Sequence, residues 1–201
     1  MTPTLALIGD TLLDVEVEPK GFQQVIELIS NVRRFDQRMF FIGNGASATI
    51  ASHMAADWLK TCGVDTQCFN DAALLTAIGN DIAYDQVFAR PLAVHCRSGD
   101  VLFAISSSGK SRNILNAVDV ANSRSLNVVT LSGFAPDNPL RKMGMVNFYV
   151  PSDRYGVVEV CHHAICHAIL DEVSTGLSAL NWTQTEDVRN YSELLKGKEA
   201  S

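Results

Sequence analysis

Basic residues are in short supply. Sixteen Lys and Arg stand against 22 Asp and Glu in a chain of 201 residues, a formal net charge of −6. A nucleic-acid partner needs a basic stripe to displace counterions along the phosphate backbone, so that class is set aside. The same shortage does not exclude a small anion, because backbone N–H groups at a helix start bind phosphate without net positive charge. No segment approaches the roughly 20 apolar residues of a membrane helix. The N-terminal run Leu5-Ala6-Leu7-Ile8 stops at Gly9-Asp10 and has no basic start, so no signal peptide is read there and a cytoplasmic protein is expected. The five cysteines, Cys62, Cys68, Cys96, Cys161 and Cys166, form no C-x-x-C pair, and their number is odd. Free, mostly buried thiols in a reducing compartment are expected. The nucleotide P-loop pattern and the G-x-G-x-x-G dinucleotide fingerprint are both missing. There is no internal repeat, low-complexity tract or interdomain linker.

What is present is a core. Apolar residues make up 47% of the chain, enough for one domain without staples. Residues 2–15 and 21–34 read as amphipathic helices separated by Glu18-Pro19-Lys20-Gly21. From there short apolar runs alternate with helix-length segments: 39–42, 101–105, 128–131 and 146–150, with 66–69 as a weaker fifth. Strands buried on both faces and joined by helices indicate an α/β fold, a doubly wound parallel sheet of about five strands. A long last helix is expected over 156–178. The boundaries drawn are 1–36 for the N-terminal helices, 37–180 for the α/β domain and 181–201 for a loosely held polar tail.

Ligands of such sheets bind at the carboxyl ends of strands, against helix N-termini. Two strand ends carry suitable chemistry. Gly43-Asn44-Gly45-Ala46-Ser47 opens the helix expected over 47–60, though an ordinary strand-to-helix turn would read the same way. Ser106-Ser107-Ser108-Gly109-Lys110-Ser111 is the stronger signal, with four hydroxyls in six residues before the helix 113–121. A phosphate monoester is the ligand it suits.

Three of the five histidines fall in Glu159-Val160-Cys161-His162-His163-Ala164-Ile165-Cys166-His167. At about 100° per residue, Glu159, His163 and His167 share one stripe, and Cys166 and His162 lie on its edge. His53 and Asp57 are likewise i, i+4 on the helix after the first loop. Two such faces brought together suit a zinc-type divalent metal or paired acid–base catalysis. Taken singly, His53 reads as a core or interface histidine, Asp57 as a solvated helix residue, and 159–167 as a polar helix contact.

With these residues in view, the chain resembles the phosphoheptose isomerase (sedoheptulose 7-phosphate isomerase) family of SIS, or sugar isomerase, domain proteins. The resemblance spans about residues 20–178. It rests on residues 43–47, 53–57, 75–81, 86–90, 99–102, 105–111, 150–152 and 159–167, in the family's order. It implies a flavodoxin-like sheet with extra N-terminal helices. It also implies a homotetramer with active sites at subunit contacts, and an aldose–ketose isomerase of a phosphorylated sugar working through an enediol. Asn44, Gly45, Ala46, Ser47, Asn80, Asp81 and Glu159 would then meet the substrate. Ser106, Ser107, Ser108 and Ser111 would hold its phosphate. A divalent metal, zinc in type, would sit on His53, Asp57, Glu159 and His167, and Asp57 and His167 would be the acid–base pair. Asp57 stands where the family has Glu, and Glu159 where it has Gln, while His163 is an additional ligand candidate. The alternative the sequence leaves open is a non-catalytic SIS-domain regulator or protein-interaction module.

Overall fold

In the computed structural model, which describes residues 3–179, a parallel sheet runs in the order β2-β1-β3-β4-β5. Its strands are β1 (Met39–Gly43), β2 (Thr66–Cys68), β3 (Val101–Ser106), β4 (Asn127–Ser132) and β5 (Val146–Tyr149). The central strands are buried at every position because both faces are covered. Alternation decides which core each side chain enters. Met39, Phe41, Phe103 and Ile105 join one cluster, and Phe40, Ile42, Leu102 and Ala104 join the other.

The first cluster lies under α2 (Gly21–Ser30), α3 (Ala46–Cys62) and α7 (Tyr155–Ala179), with α1 (Pro3–Leu13) against α7. The second lies under α4 (Ala72–Asp81), α5 (Ala89–His95) and α6 (Arg112–Ser123). The chain therefore leaves β1 toward one face and β3 toward the other. These neighbouring strands are the switch point of the sheet, and their carboxyl ends open a crevice between α3 and α6.

Three elements differ from the sequence reading. Helix α2 ends at Ser30 rather than 34: the Asn31 amide folds back to the Glu27 carbonyl, and turns follow to Asp36 at φ +52°. Helix α4 carries no strong apolar period and is started by Asp71, whose side chain accepts from the Leu74 N–H. Helix α5 contains Pro91, which the first turn tolerates because its N–H would have no intrahelical partner. The tail expected over 181–201 lies outside the described residues. No helix among them is long and apolar enough to cross a membrane.

Candidate active site

Strand β3 delivers Ser106 and Ser107, both buried, to the start of α6. The loop closes on itself: the Gly109 N–H donates to Ser106 Oγ at 3.2 Å, and the Ser106 and Ser111 hydroxyls stand 3.4 Å apart. Gly109 sits at φ +61°, where a Cβ would lie 2.0 Å from Asn138 Oδ1, so only glycine fits. Backbone bonds fasten this loop to the next one, from the Gly133 N–H to the Ser107 carbonyl and from the Leu140 N–H to the Gly109 carbonyl. Fully buried Asn138 holds that next loop by donating to Ser132 Oγ and the Gly133 and Ala135 carbonyls. The result is a cavity of about 130 Å³ lined by Asn44, Ser47, Ser106, Ser107, Ser108 and Ser111, with Tyr155 and Glu159 on the α7 side. Small, hydroxyl-rich and at a helix N-terminus, it has the chemistry of a phosphate cup.

At the end of β1, Gly45 takes φ +56° and ψ −124°, a backbone open to glycine, and α3 starts behind it. The turn presents Asn44 across the switch point to buried Asn113 in the first turn of α6. Each amide donates to the other's oxygen, at 2.9 and 2.8 Å. Asn113 Oδ1 also accepts from the Ile114 N–H, and Tyr84 Oη donates to Asn44 Oδ1 at 3.4 Å. Tyr155, which lines the serine cavity, and Asn113 and Tyr84, which hold Asn44, are residues that the sequence reading missed. Each is ordinary in its local pattern, and only the sheet's topology brings it here.

The second cavity, about 680 Å³, lies beside the first between α3 and α7. Ala46, Thr49, Ile50 and His53 form one wall; Glu159, Val160, His163, Ala164 and His167 form the other. The rings of His53 and His163 meet edge to face at 5.1 Å, as do His53 and His167 at 5.3 Å, and His163 and His167 lie tilted to each other at 4.7 Å. Their ligand nitrogens all come within 4.8 Å of one another, so this cluster can hold a metal ion. His163 Nε2 is buried without a hydrogen-bond partner, the state of a nitrogen with a lone pair or proton to give. Burial, reinforced by the neighbouring His167 and His53, lowers the His163 pKa and favours the neutral ring that ligates cations.

The carboxylates part company. Asp57 Oδ2 lies 3.2 Å from His53 Nε2 and Oδ1 lies 3.0 Å from Lys60 Nζ. The Lys60 hydrogen bond, with His53 nearby, holds the Asp57 carboxyl below its ordinary pKa. Asp57 lines neither cavity, and it is not a member of the ligand cluster. Glu159 lies outside that cluster as well, but it lines both cavities. The set brought together is thus His53, His163 and His167, and the set expected from the resemblance was His53, Asp57, Glu159 and His167. Asn80 and Asp81, at the exposed end of α4, bond each other and line neither cavity. His162 turns into the core, where its Nε2–H donates to the Ser132 carbonyl, and burial pushes its pKa down to about 4. All five cysteines are free, four of them buried.

The chain is similar to known proteins over most of its length. The SIS domain family matches residues 7–133. The phosphoheptose isomerase of Sulfurimonas denitrificans is 35% identical over 170 residues, covering 82% of this chain and 87% of its own. The solved phosphoheptose isomerase of Neisseria gonorrhoeae superposes with a TM-score of 0.71 at 32% identity, covering 78% of this chain and 86% of that one. That of Francisella tularensis superposes with a TM-score of 0.72 at 27% identity over the same shares.

Proposed function

The chain belongs to the SIS-domain family, among the phosphoheptose isomerases, and from that premise we propose that it interconverts sedoheptulose 7-phosphate and a heptose 7-phosphate. It is a sugar-phosphate isomerase. The observation that carries the reading is Glu159, the residue shared by the serine cup and the histidine cavity.

The phosphate sits among Ser106, Ser107, Ser108 and Ser111, where hydroxyls and the α6 N-terminus meet its charge. This anchors one end of the sugar and leaves the carbonyl end to the larger cavity. Isomerisation removes a proton from C1 of the ketose, moves the hydroxyl proton from O1 to O2 through the enediol, and returns a proton to C2. Glu159, half-buried in the second turn of α7, is the carboxylate that would take and return the carbon-bound proton. Asp57 is held by His53 and Lys60, so it fits an orienting role better than a base. The imidazoles of His53, His163 and His167 face the oxygen on which negative charge develops.

The unpartnered His163 nitrogen and the all-imidazole donor set fit a divalent metal of the zinc type. When bound, such an ion supplies Lewis acidity toward a carbonyl oxygen. A homotetramer in the cytoplasm completes the proposal. It is supported by the largely apolar histidine cavity with exposed Val160 in its wall, by exposed Tyr155 on the adjoining serine cavity, and by the five free thiols.

The test is turnover of sedoheptulose 7-phosphate in deuterated water. Aldose formation with deuterium at C2 is expected. Neither product nor exchange from any heptose or pentose phosphate would remove the isomerase reading and leave a sugar-phosphate-binding module.

A further inference from the structure

We infer that His163 is the third ligand of a three-imidazole metal site with His53 and His167, and that Asp57 acts behind His53 as a positioning residue. This deepens the metal part of the reading above and is independent of its substrate.

Three observations carry it. First, the ligand atoms of His53, His163 and His167 converge within 4.8 Å, and Asp57 and Glu159 do not join them. Second, His163 Nε2 is buried with no partner, and a buried polar atom left unpaired is destabilising. Coordination would satisfy it in the tautomer that carries the ring proton on Nδ1. Third, Asp57 Oδ2 at 3.2 Å from His53 Nε2 forms a carboxylate–histidine pair. That pair fixes the ring and its tautomer and leaves the other nitrogen for a cation.

The donor set has consequences. Three neutral imidazoles favour zinc, cobalt or nickel over magnesium or calcium, which take oxygen donors. Three protein ligands also leave a position for an outside donor, as catalytic rather than structural zinc sites do. Glu159 then stays off the metal and remains free for proton transfer.

The experiment is a Co2+ and Zn2+ titration of the full chain by calorimetry, with the Co2+ absorption spectrum and paramagnetically shifted NMR as readouts of coordination. The wild type should bind one ion per chain, show three shifted imidazole N–H resonances, and ignore a large excess of Mg2+. His163→Gln should weaken binding by more than about 100-fold and alter the Co2+ spectrum. Asp57→Asn should weaken it about 10–100-fold with the spectrum retained, as for loss of an outer partner. Melting in the presence of chelator checks that both variants fold, and the wild-type resonance count needs no variant at all. Two shifted imidazoles, a His163→Gln spectrum like the wild type, or no ion bound would overturn the inference. Metal bound by three imidazoles in a protein without isomerase activity would sink the function and leave the metal site standing.

Discussion

The side-chain amides of Asn44 and Asn113 bond each other in both directions across the switch point of the sheet. One belongs to the turn after β1, the other to the first turn of α6, so the pair locks the two ligand loops in register. Asn113 lines neither cavity and acts only through Asn44. Replacing it with Ala removes hydrogen bonds worth about 1 kcal/mol each and should lower kcat/KM about 5–10-fold. Asn44→Ala should cost at least as much, and the double variant little more than Asn44→Ala alone. Additive losses in that cycle would show that the amide pair is not the route.

Gly109 tolerates no side chain. Its positive φ and the 2.0 Å approach to Asn138 Oδ1 predict that Gly109→Ala lowers stability by more than about 1 kcal/mol. It should also weaken inorganic phosphate binding. Urea unfolding and a phosphate titration measure the two effects.

Ser111→Ala removes a hydroxyl from the phosphate cup. A hydrogen bond to a charged group is worth about 1.5–3 kcal/mol, so KM for the phosphorylated sugar should rise roughly 10–100-fold with little change in kcat. Binding of the unphosphorylated sugar should not change. An equal loss for both sugars would place the phosphate elsewhere.

Glu159 and Asp57 should separate by kinetics. Glu159→Gln keeps size and hydrogen bonding but removes the base, and should lower kcat about 100-fold or more at nearly constant KM. Deuterium exchange at carbon should fall with it. Asp57→Asn should be milder at saturating zinc. The reverse ranking would return the proton transfer to Asp57.

Burial pushes the Cys62 thiol up to about 11, only partly countered by nearby Arg33. At pH 8 the native protein should therefore react with a disulfide reagent at Cys68 alone, the one partly exposed thiol. The folded state keeps Cys62 protonated where the unfolded chain, with its pKa near 9.0, would ionise it. This contribution to stability is whole below pH 9 and is lost as pH climbs toward 11. Cys62→Ala should flatten that alkaline loss, which unfolding at pH 8 and 10.5 would show.

Much of the fold was legible residue by residue. The apolar runs at 39–42, 101–105, 128–131 and 146–150 became strands because a strand covered on both faces is apolar at most positions, and the polar exceptions Thr130 and Asn147 bond each other. The serine loop was legible because four hydroxyls before a helix are a local feature. Helices α4 and α5 were not, since their start and tolerance depend on Asp71 capping and on Pro91 falling in a first turn. The ligand set was the largest departure. Helical spacing put Glu159, His163 and His167 on one stripe, but it could not say which of them would meet His53.

The sequence by itself determined the parallel sheet, the two loops at strand ends and the facing stripes on α3 and α7. All of these follow from hydrophobic period and turn chemistry, which act over a few residues. Only the tertiary structure decided that His163 joins His53 and His167, that Glu159 is left between the two cavities, and that Asp57 turns to His53 and Lys60. Those outcomes depend on how α3 lies against α7 on the sheet, which is set by packing of distant side chains into a common core.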